Sequence, residues 1–379
     1  MIVAGEASGD LHGARLVEAA LARRPDLRFY GLGGARLAAA GVELLFDLSN
    51  QQIIGFGEAV FKLRQVLSTL KTLKTSLAQD RPAAVVLIDY PDFNFSLAKT
   101  ARRLGVPVFY YISPQLWAWR QGRVKKVRRF VDRMVVIFPF EKEFYRRHGI
   151  EADFVGHPLL DTLNPPRLRE TVKAELGLDP ARPLLLLLPG SRLAEIRRHL
   201  APMLAAAGLV TGQRPEVQVA VAEADTIDDD ALAPFLAAGP PQVRVVRSRT
   251  HDLQNAADVA LSASGTATLE TALMLTPLVV MYRLKPLTFF LLKLLASVEH
   301  VAMPNLIAGR RLVPELLQKE ARPDRMAAEV LALFEDSEAY ARTVEGLREV
   351  RERLGAPGAS DRAAGLLVET IEAASRAGG

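Results

Sequence analysis

Cysteine is absent from this sequence, which excludes disulfides, thiolate zinc sites and thiol nucleophiles and fits a reducing compartment. Long apolar runs are absent too. The nearest, Leu284 to Leu295, is interrupted by Lys285, Pro286 and Lys293, so no segment reaches the length needed to span a bilayer. The six histidines show no metal-ligand spacing, and no metal or cofactor is expected. No Ser/His/Asp order carries nucleophile-elbow spacing. The opening Ile2-Val3-Ala4-Gly5 has neither a basic flank nor a long apolar core, so it reads as a first strand and not a signal peptide. Net charge is small, +5 over 379 residues, but unevenly placed: Arg120 to Arg133 holds seven Lys/Arg against one Asp. No zinc-finger spacing or RNA-binding aromatic signature accompanies that stretch, so no nucleic-acid partner is expected.

What is present is an alternation of short apolar runs with amphipathic stretches, the pattern of parallel strands joined by crossover helices. Strands are expected at Ile2–Ala4, Arg28–Gly31, Ala83–Asp89, Val106–Ile112, Met134–Phe138 and Asp153–Val155. Beyond Pro165-Pro166 they recur at Leu184–Leu188, Gln218–Val221, Val243–Val246, Val259–Ser262 and Leu278–Met281. Helices are expected at Gly13–Arg23, Phe95–Leu104 and Glu141–His148 between them, and through Met326 to Ala374 at the end. The fold class is therefore α/β: two open parallel sheets in tandem, meeting near residue 165 and facing each other across a cleft that can hold two substrates.

The most informative segment runs from Leu261 to Glu270. A strand leads into Ser264-Gly265-Thr266 and then a helix, which presents backbone N–H groups at a positive helix end, as a diphosphate requires. Glu270 lies one turn beyond Thr266 on the same face, where a carboxylate would repel phosphate but accept from a ribose diol. The same residues also read as an ordinary helix cap.

Four further segments fall at strand ends. Gly5-Glu6-Ala7-Ser8-Gly9-Asp10 resembles a phosphate loop but lacks G-x-G-x-x-G spacing. Its carboxylates suit sugar hydroxyls better, and Asp10 reads equally as a helix cap. Glu6 and Ser8 join the candidate catalytic groups. Asp89-Tyr90-Pro91-Asp92-Phe93-Asn94 sets two carboxylates where a buried strand meets solvent, suited to taking the proton of an attacking hydroxyl. Pro189-Gly190-Ser191-Arg192 offers phosphate donors and a fixed positive charge. Met303-Pro304-Asn305 offers an amide donor. Two apolar stretches punctuated by cations, Phe56 to Leu67 and Pro286 to Leu295, suit either a core or an anionic membrane interface.

Together with Ser113-Pro114-Gln115-Leu116-Trp117-Ala118-Trp119-Arg120 and Gly156-His157-Pro158, these segments resemble the lipid-A-disaccharide synthase family. The resemblance runs from the first strand nearly to residue 310. It implies two tandem Rossmann-like domains (GT-B) facing across a cleft. Residues 1–164 would bind the acceptor and 165–340 the UDP-sugar, with C-terminal helices at 341–379 packing back or exchanged in a homodimer. The implied reaction joins UDP-2,3-diacylglucosamine to 2,3-diacylglucosamine 1-phosphate (lipid X), giving a β-1,6 disaccharide and UDP. Asp92 would be the base, with Asp89 beside it. Arg192, Ser191, Ser264, Gly265, Thr266 and Asn305 would hold the diphosphate and Glu270 the ribose. Asn94, Trp117 and Arg120 are further substrate-binding candidates. Peripheral attachment to the cytoplasmic face of the inner membrane is also implied. Tyr90 and Gln115 depart from the family pattern. The rivals are a UDP-sugar 2-epimerase and a non-catalytic nucleotide-sugar or lipid-binding module.

Overall fold

The computed structural model describes residues 1–48, 58–119, 121–163, 166–224, 232–237, 240, 243–284 and 299–378, with backbone alone for 58–63 and 377–378. Arg120, the Pro286 to Leu295 stretch and the start of the Phe56 to Leu67 stretch lie outside the described residues or side chains. Among the described residues, no helix is long and apolar enough to cross a membrane.

The chain divides into two compact units, residues 1–161 with 354–379, and residues 162–353. In the first, β1 (Ile2–Ala4), β2 (Tyr30–Gly33), β3 (Glu43–Asp47), β4 (Val85–Ile88), β5 (Val108–Tyr111), β6 (Arg133–Val136) and β7 (Ala152–Phe154) form one sheet. Its order is β3-β2-β1-β4-β5-β6-β7, and each neighbouring pair is parallel. The connecting helices are α1 (Ala7–Arg23), α2 (Ala35–Ala39), α3 (Glu58–Asp80), α4 (Pro91–Arg103), α5 (Val124–Phe130) and α6 (Pro139–Arg147), with α7 (Leu159–Thr162) at the exit. Sheet growth reverses between β1 and β4, so the turns after Ala4 and Ile88, which are register partners, emerge side by side. Ligands of open α/β sheets bind at such a point.

The second unit repeats the plan. The strands β8 (Leu184–Leu188), β9 (Gln218–Glu223), β10 (Arg244–Arg247), β11 (Val259–Ala263), β12 (Leu278–Tyr282) and β13 (Glu315–Leu317) run in the order β10-β9-β8-β11-β12-β13, with the reversal between β8 and β11. Its helices are α8 (Arg169–Glu175), α9 (Leu193–Gln213), α10 (Ala233–Leu236), α11 (Thr250–Ala256), α12 (Thr266–Leu273), α13 (Met303–Ala308), α14 (Pro323–Glu335) and α15 (Ser337–Arg353). The five leucines of β8 show why strands covered on both faces are unbroken apolar runs. Leu185 and Leu187 enter one buried cluster, and Leu184, Leu186 and Leu188 the opposite one. Each contributes about 2 kcal/mol by burial.

The final helix, α16 (Ala359–Gly378), belongs to the first unit. Its Ala363, Ala364 and Leu367 are fully buried, and Asp361 pairs with Arg23 of α1 at 2.7 Å. Residue 341 lies inside α15, a helix of the second unit, and the chain returns only at Leu354. Two edge strands, β3 and β13, were not foreseen. Helix α1 also starts six residues earlier than its sequence pattern indicates, so the glycine-rich stretch read as a loop is largely its first turns. A Cβ on Gly13 would lie 3.0 Å from the Ile88 side chain and 3.3 Å from Leu37, so this glycine serves close packing of helix on sheet.

Candidate active site

At the β1/β4 reversal, the turn after β4 carries two consecutive non-glycine residues in the left-handed region, Asp89 at φ +44° and Tyr90 at φ +45°. Such conformations persist only where the surroundings enforce them. Here the Asp89 carbonyl is held by the Asn94 amide at 2.7 Å and the Tyr110 hydroxyl at 2.6 Å. Asn94 donates also to the Ile88 carbonyl and is fully buried. It therefore shapes this turn from beneath, a correction to its assignment as a substrate contact. The Asp89 carboxyl, pushed up to about 6 by burial and then by the nearby Glu6 charge, is half-buried, whereas Glu6 and Ser8 are exposed.

Asp10 has a different role. It is buried, and its carboxylate accepts from the backbone N–H groups of Gly34, Arg36 and Leu37 at 2.6 to 3.2 Å. It thus caps α2, a helix more than twenty residues away in sequence. Asp92 sits in the exposed first turn of α4, paired with Arg123 at 2.5 Å. Arg123 comes from the basic stretch and was not foreseen as part of this site. Trp117 is buried, with its indole N–H donating to Glu141 at 3.1 Å and its ring edge-on to Phe140. It anchors its loop in the core and offers no substrate a free face. Glu141 is pushed up to about 8 by complete burial, partly offset by N–H groups of Phe138 and Ile137.

In the second unit, the turns after β8 and β11 line a cavity of about 450 Å³. Ser191, Arg192, Ser264, Gly265, Thr266 and Glu270 all face it. The two turns are not equivalent. Glu195 accepts from the backbone N–H groups of Ser191 and Arg192 at 3.2 and 3.3 Å, occupying the donors expected to bind phosphate. Gly190 makes room for that carboxylate, since at its φ of +113° a Cβ would lie 2.5 Å from a Glu195 oxygen. Gly265, the N-cap of α12, lines the cavity together with Thr266 and Ala267 of its first turn, so the positive end of α12 faces the cavity. Arg192 is 80% exposed. Glu270 lies 3.5 Å from the Gln254 amide and 3.7 Å from His251. His251 also lines the cavity and is raised above its ordinary value, chiefly by the neighbouring Glu270 carboxylate. Sequence reasoning missed it, although it sits in the first turn of α11, four residues past the end of β10.

Asn305 is not in this cavity's lining. It is fully buried, donates to the Val313 carbonyl and Glu315, and accepts from the N–H groups of Leu312 and Val313, all within 2.9 Å. With both its donor and acceptor sides engaged, it ties α13 to the approach to β13 and is removed from the diphosphate set. Asn305→Ala would strand two buried N–H groups and is expected to cost about 3 kcal/mol. Urea unfolding would read this as a lower midpoint at unchanged slope. Among the described residues, no group of three or more His, Asp or Glu side chains is placed to hold a metal ion.

Two doubly wound parallel sheets in series define the GT-B class of fold. Solved structures agree at the level of fold. The UDP-GlcNAc 2-epimerase from Neisseria meningitidis, bound to UDP-GlcNAc, has a TM-score of 0.65 at 12% identity, covering 98% of each chain. Acinetobacter baumannii MurG has a TM-score of 0.58 at 15% identity, covering 97% of this chain and 98% of its own. The family model described as lipid-A-disaccharide synthetase matches residues 1–366. Lipid-A-disaccharide synthase of Syntrophus aciditrophicus (strain SB) is 46% identical over 373 residues, 98% of this chain and 97% of its own. That of Myxococcus xanthus (strain DK1622) is 46% identical over 372 residues, with the same shares covered. The chain belongs to the lipid-A-disaccharide synthase family, and is a glycosyltransferase of lipid A biosynthesis.

Proposed function

We propose that the chain transfers the diacylglucosamine of UDP-2,3-diacylglucosamine to the 6-hydroxyl of 2,3-diacylglucosamine 1-phosphate. The observation that carries this reading is the cavity of the second unit, where an open helix end and a carboxylate one turn later match a diphosphate and a ribose diol. Ser264, Gly265 and Thr266 bind the diphosphate, with Ser191 and Arg192 across from them, and Glu270 accepts from the ribose hydroxyls. In one displacement the acceptor oxygen bonds to the anomeric carbon as the carbon–oxygen bond to UDP breaks. The configuration inverts, and the hydroxyl proton passes to a carboxylate.

The resemblance points to Asp92 as that carboxylate. The geometry supports Asp89 instead. A general base works best with a pKa near the working pH, and Asp89 is half-buried and pushed up to about 6, while Asp92 is exposed and tied to Arg123. Asp92 and Arg123 then orient the acceptor. Glu6 acts through Asp89, keeping its basicity high. The same reading includes a homodimer held peripherally on the cytoplasmic face of the inner membrane. The exposed Val66 and Leu67 of α3, followed by Lys71 and Lys74, support the membrane contact.

The test is UDP release from the donor by purified protein in detergent with EDTA, with and without the acceptor. Acceptor-dependent release together with a β-1,6 disaccharide is expected. UDP binding without release, accompanied by inversion at C2 of a UDP-sugar, would give the site to an epimerase.

A further inference from the structure

The first unit holds a cavity of about 300 Å³, walled by Leu32, Phe46, Leu48, Val66, Tyr90 and Phe93 and completed by Gly5, Gln65 and Thr69. It lies under α3 at the carboxyl ends of β1, β2 and β3. We propose that this cavity seats one acyl chain of the acceptor. The inference rests on the reading of the acceptor as an acylated sugar, and names where its chain goes.

Three observations carry it. The first is position. Gly5 precedes Glu6 and Tyr90 follows Asp89, so the cavity shares its wall with the turns that bear the candidate catalytic carboxylates. A sugar whose hydroxyl meets Asp89 has its ring substituents at the cavity's edge. The second is chemistry. Six of the nine lining residues, all but Gly5, Gln65 and Thr69, are large apolar or aromatic side chains, the kind of wall that receives an acyl chain while a few polar groups orient the rest of the ligand. The third is the approach. Val66 lines the cavity and is itself 36% exposed, and its neighbour Leu67 is 56% exposed. The apolar surface of α3 therefore continues inward, and a chain leaving a bilayer reaches the cavity along it.

Tyr90 sets the floor. Its left-handed backbone and its stacking on Phe93, with ring centroids 5.3 Å apart, fix the ring as one wall. Tyr90 thus limits how much acyl chain the acceptor can bury.

The experiment measures kcat/KM for acceptors bearing butanoyl, octanoyl and tetradecanoyl chains, using wild type, Thr69→Phe and Tyr90→Ala. Each buried methylene is worth about four-fold, so octanoyl, with four more of them, is expected to exceed butanoyl by ~250-fold in wild type. Thr69→Phe fills the cavity and compresses that ratio to ~10-fold or less. Tyr90→Ala deepens it and raises the tetradecanoyl to octanoyl ratio. Thermal unfolding followed by circular dichroism checks that each variant is folded. Identical chain-length profiles in all three proteins would overturn the proposal. A second measurement needs no turnover: a glucosamine carrying a photoreactive acyl chain should label peptides containing Phe46, Thr69 or Phe93 in wild type. Labelling there without transferase activity would sink the proposed reaction and keep the lipid site. Labelling confined to other peptides would remove the lipid site whatever the activity.

Discussion

Asp89→Asn is expected to lower kcat by about three orders of magnitude, within the range that general-base catalysis supplies, while UDP affinity stays within two-fold. The amide is isosteric, and the backbone contacts that hold the turn, from Asn94 and Tyr110 to the Asp89 carbonyl, do not involve the side chain. The loss is therefore chemical. In wild type kcat/KM should fall as pH drops through about 6, because protonating Asp89 removes the base. Glu6→Gln removes a charge that raises Asp89, so the acid limb should move to lower pH. Asp92→Asn should weaken acceptor binding, raising KM, with the acid limb in place. A three-order loss in Asp92→Asn, with Asp89→Asn mild, would return the base to Asp92. Turnover against pH for the four proteins decides it.

Glu270→Gln is expected to weaken UDP binding by ~100-fold, or about 3 kcal/mol, because hydroxyl bonds to a partly buried carboxylate are charge-assisted and those to an amide are not. The preference for UDP over 2′-deoxy-UDP should collapse with it, which a general loss of structure would not produce. His251 adds a pH signature. Its pKa is raised mainly by Glu270, so the imidazolium persists above its ordinary range and lends positive charge to a cavity that receives a diphosphate. As pH rises through that raised value the charge is lost and UDP affinity should decline. In Glu270→Gln the main cause of the raised value is gone, and the decline should shift to lower pH. Calorimetric titration across pH reads both effects. An unchanged midpoint would mean that His251 and Glu270 are uncoupled.

How much was legible follows from how local each feature is. β8 and β11 are continuous apolar runs because both faces are covered, and their bounds match the sequence pattern closely. β3 and β13 are short, half-covered edges with no such run to find. The relation of Thr266 to Glu270 is one helical turn, so their shared cavity could be read from spacing. The partners of Asp10, Asn305 and Trp117 lie seven to twenty-seven residues away and are fixed only by packing. Asn305 and Trp117 were expected to contact ligand and Asp10 to be either a sugar contact or a helix cap; in the structure all three tie the fold together. The Pro189-Gly190-Ser191-Arg192 turn is a related case: the Glu195 carboxylate, one helical turn on, fills the N–H positions that the sequence offered to phosphate.

The return of the chain at Leu354 has a consequence for biogenesis. As the polypeptide emerges from the ribosome, everything required for the 162–353 unit is available before α16 is made. The earlier-synthesised unit must wait, with the face of α1 that will meet Ala363, Ala364 and Leu367 still wet. The portion translated second is thus free to finish folding first, and the portion translated first is completed by a helix made after it.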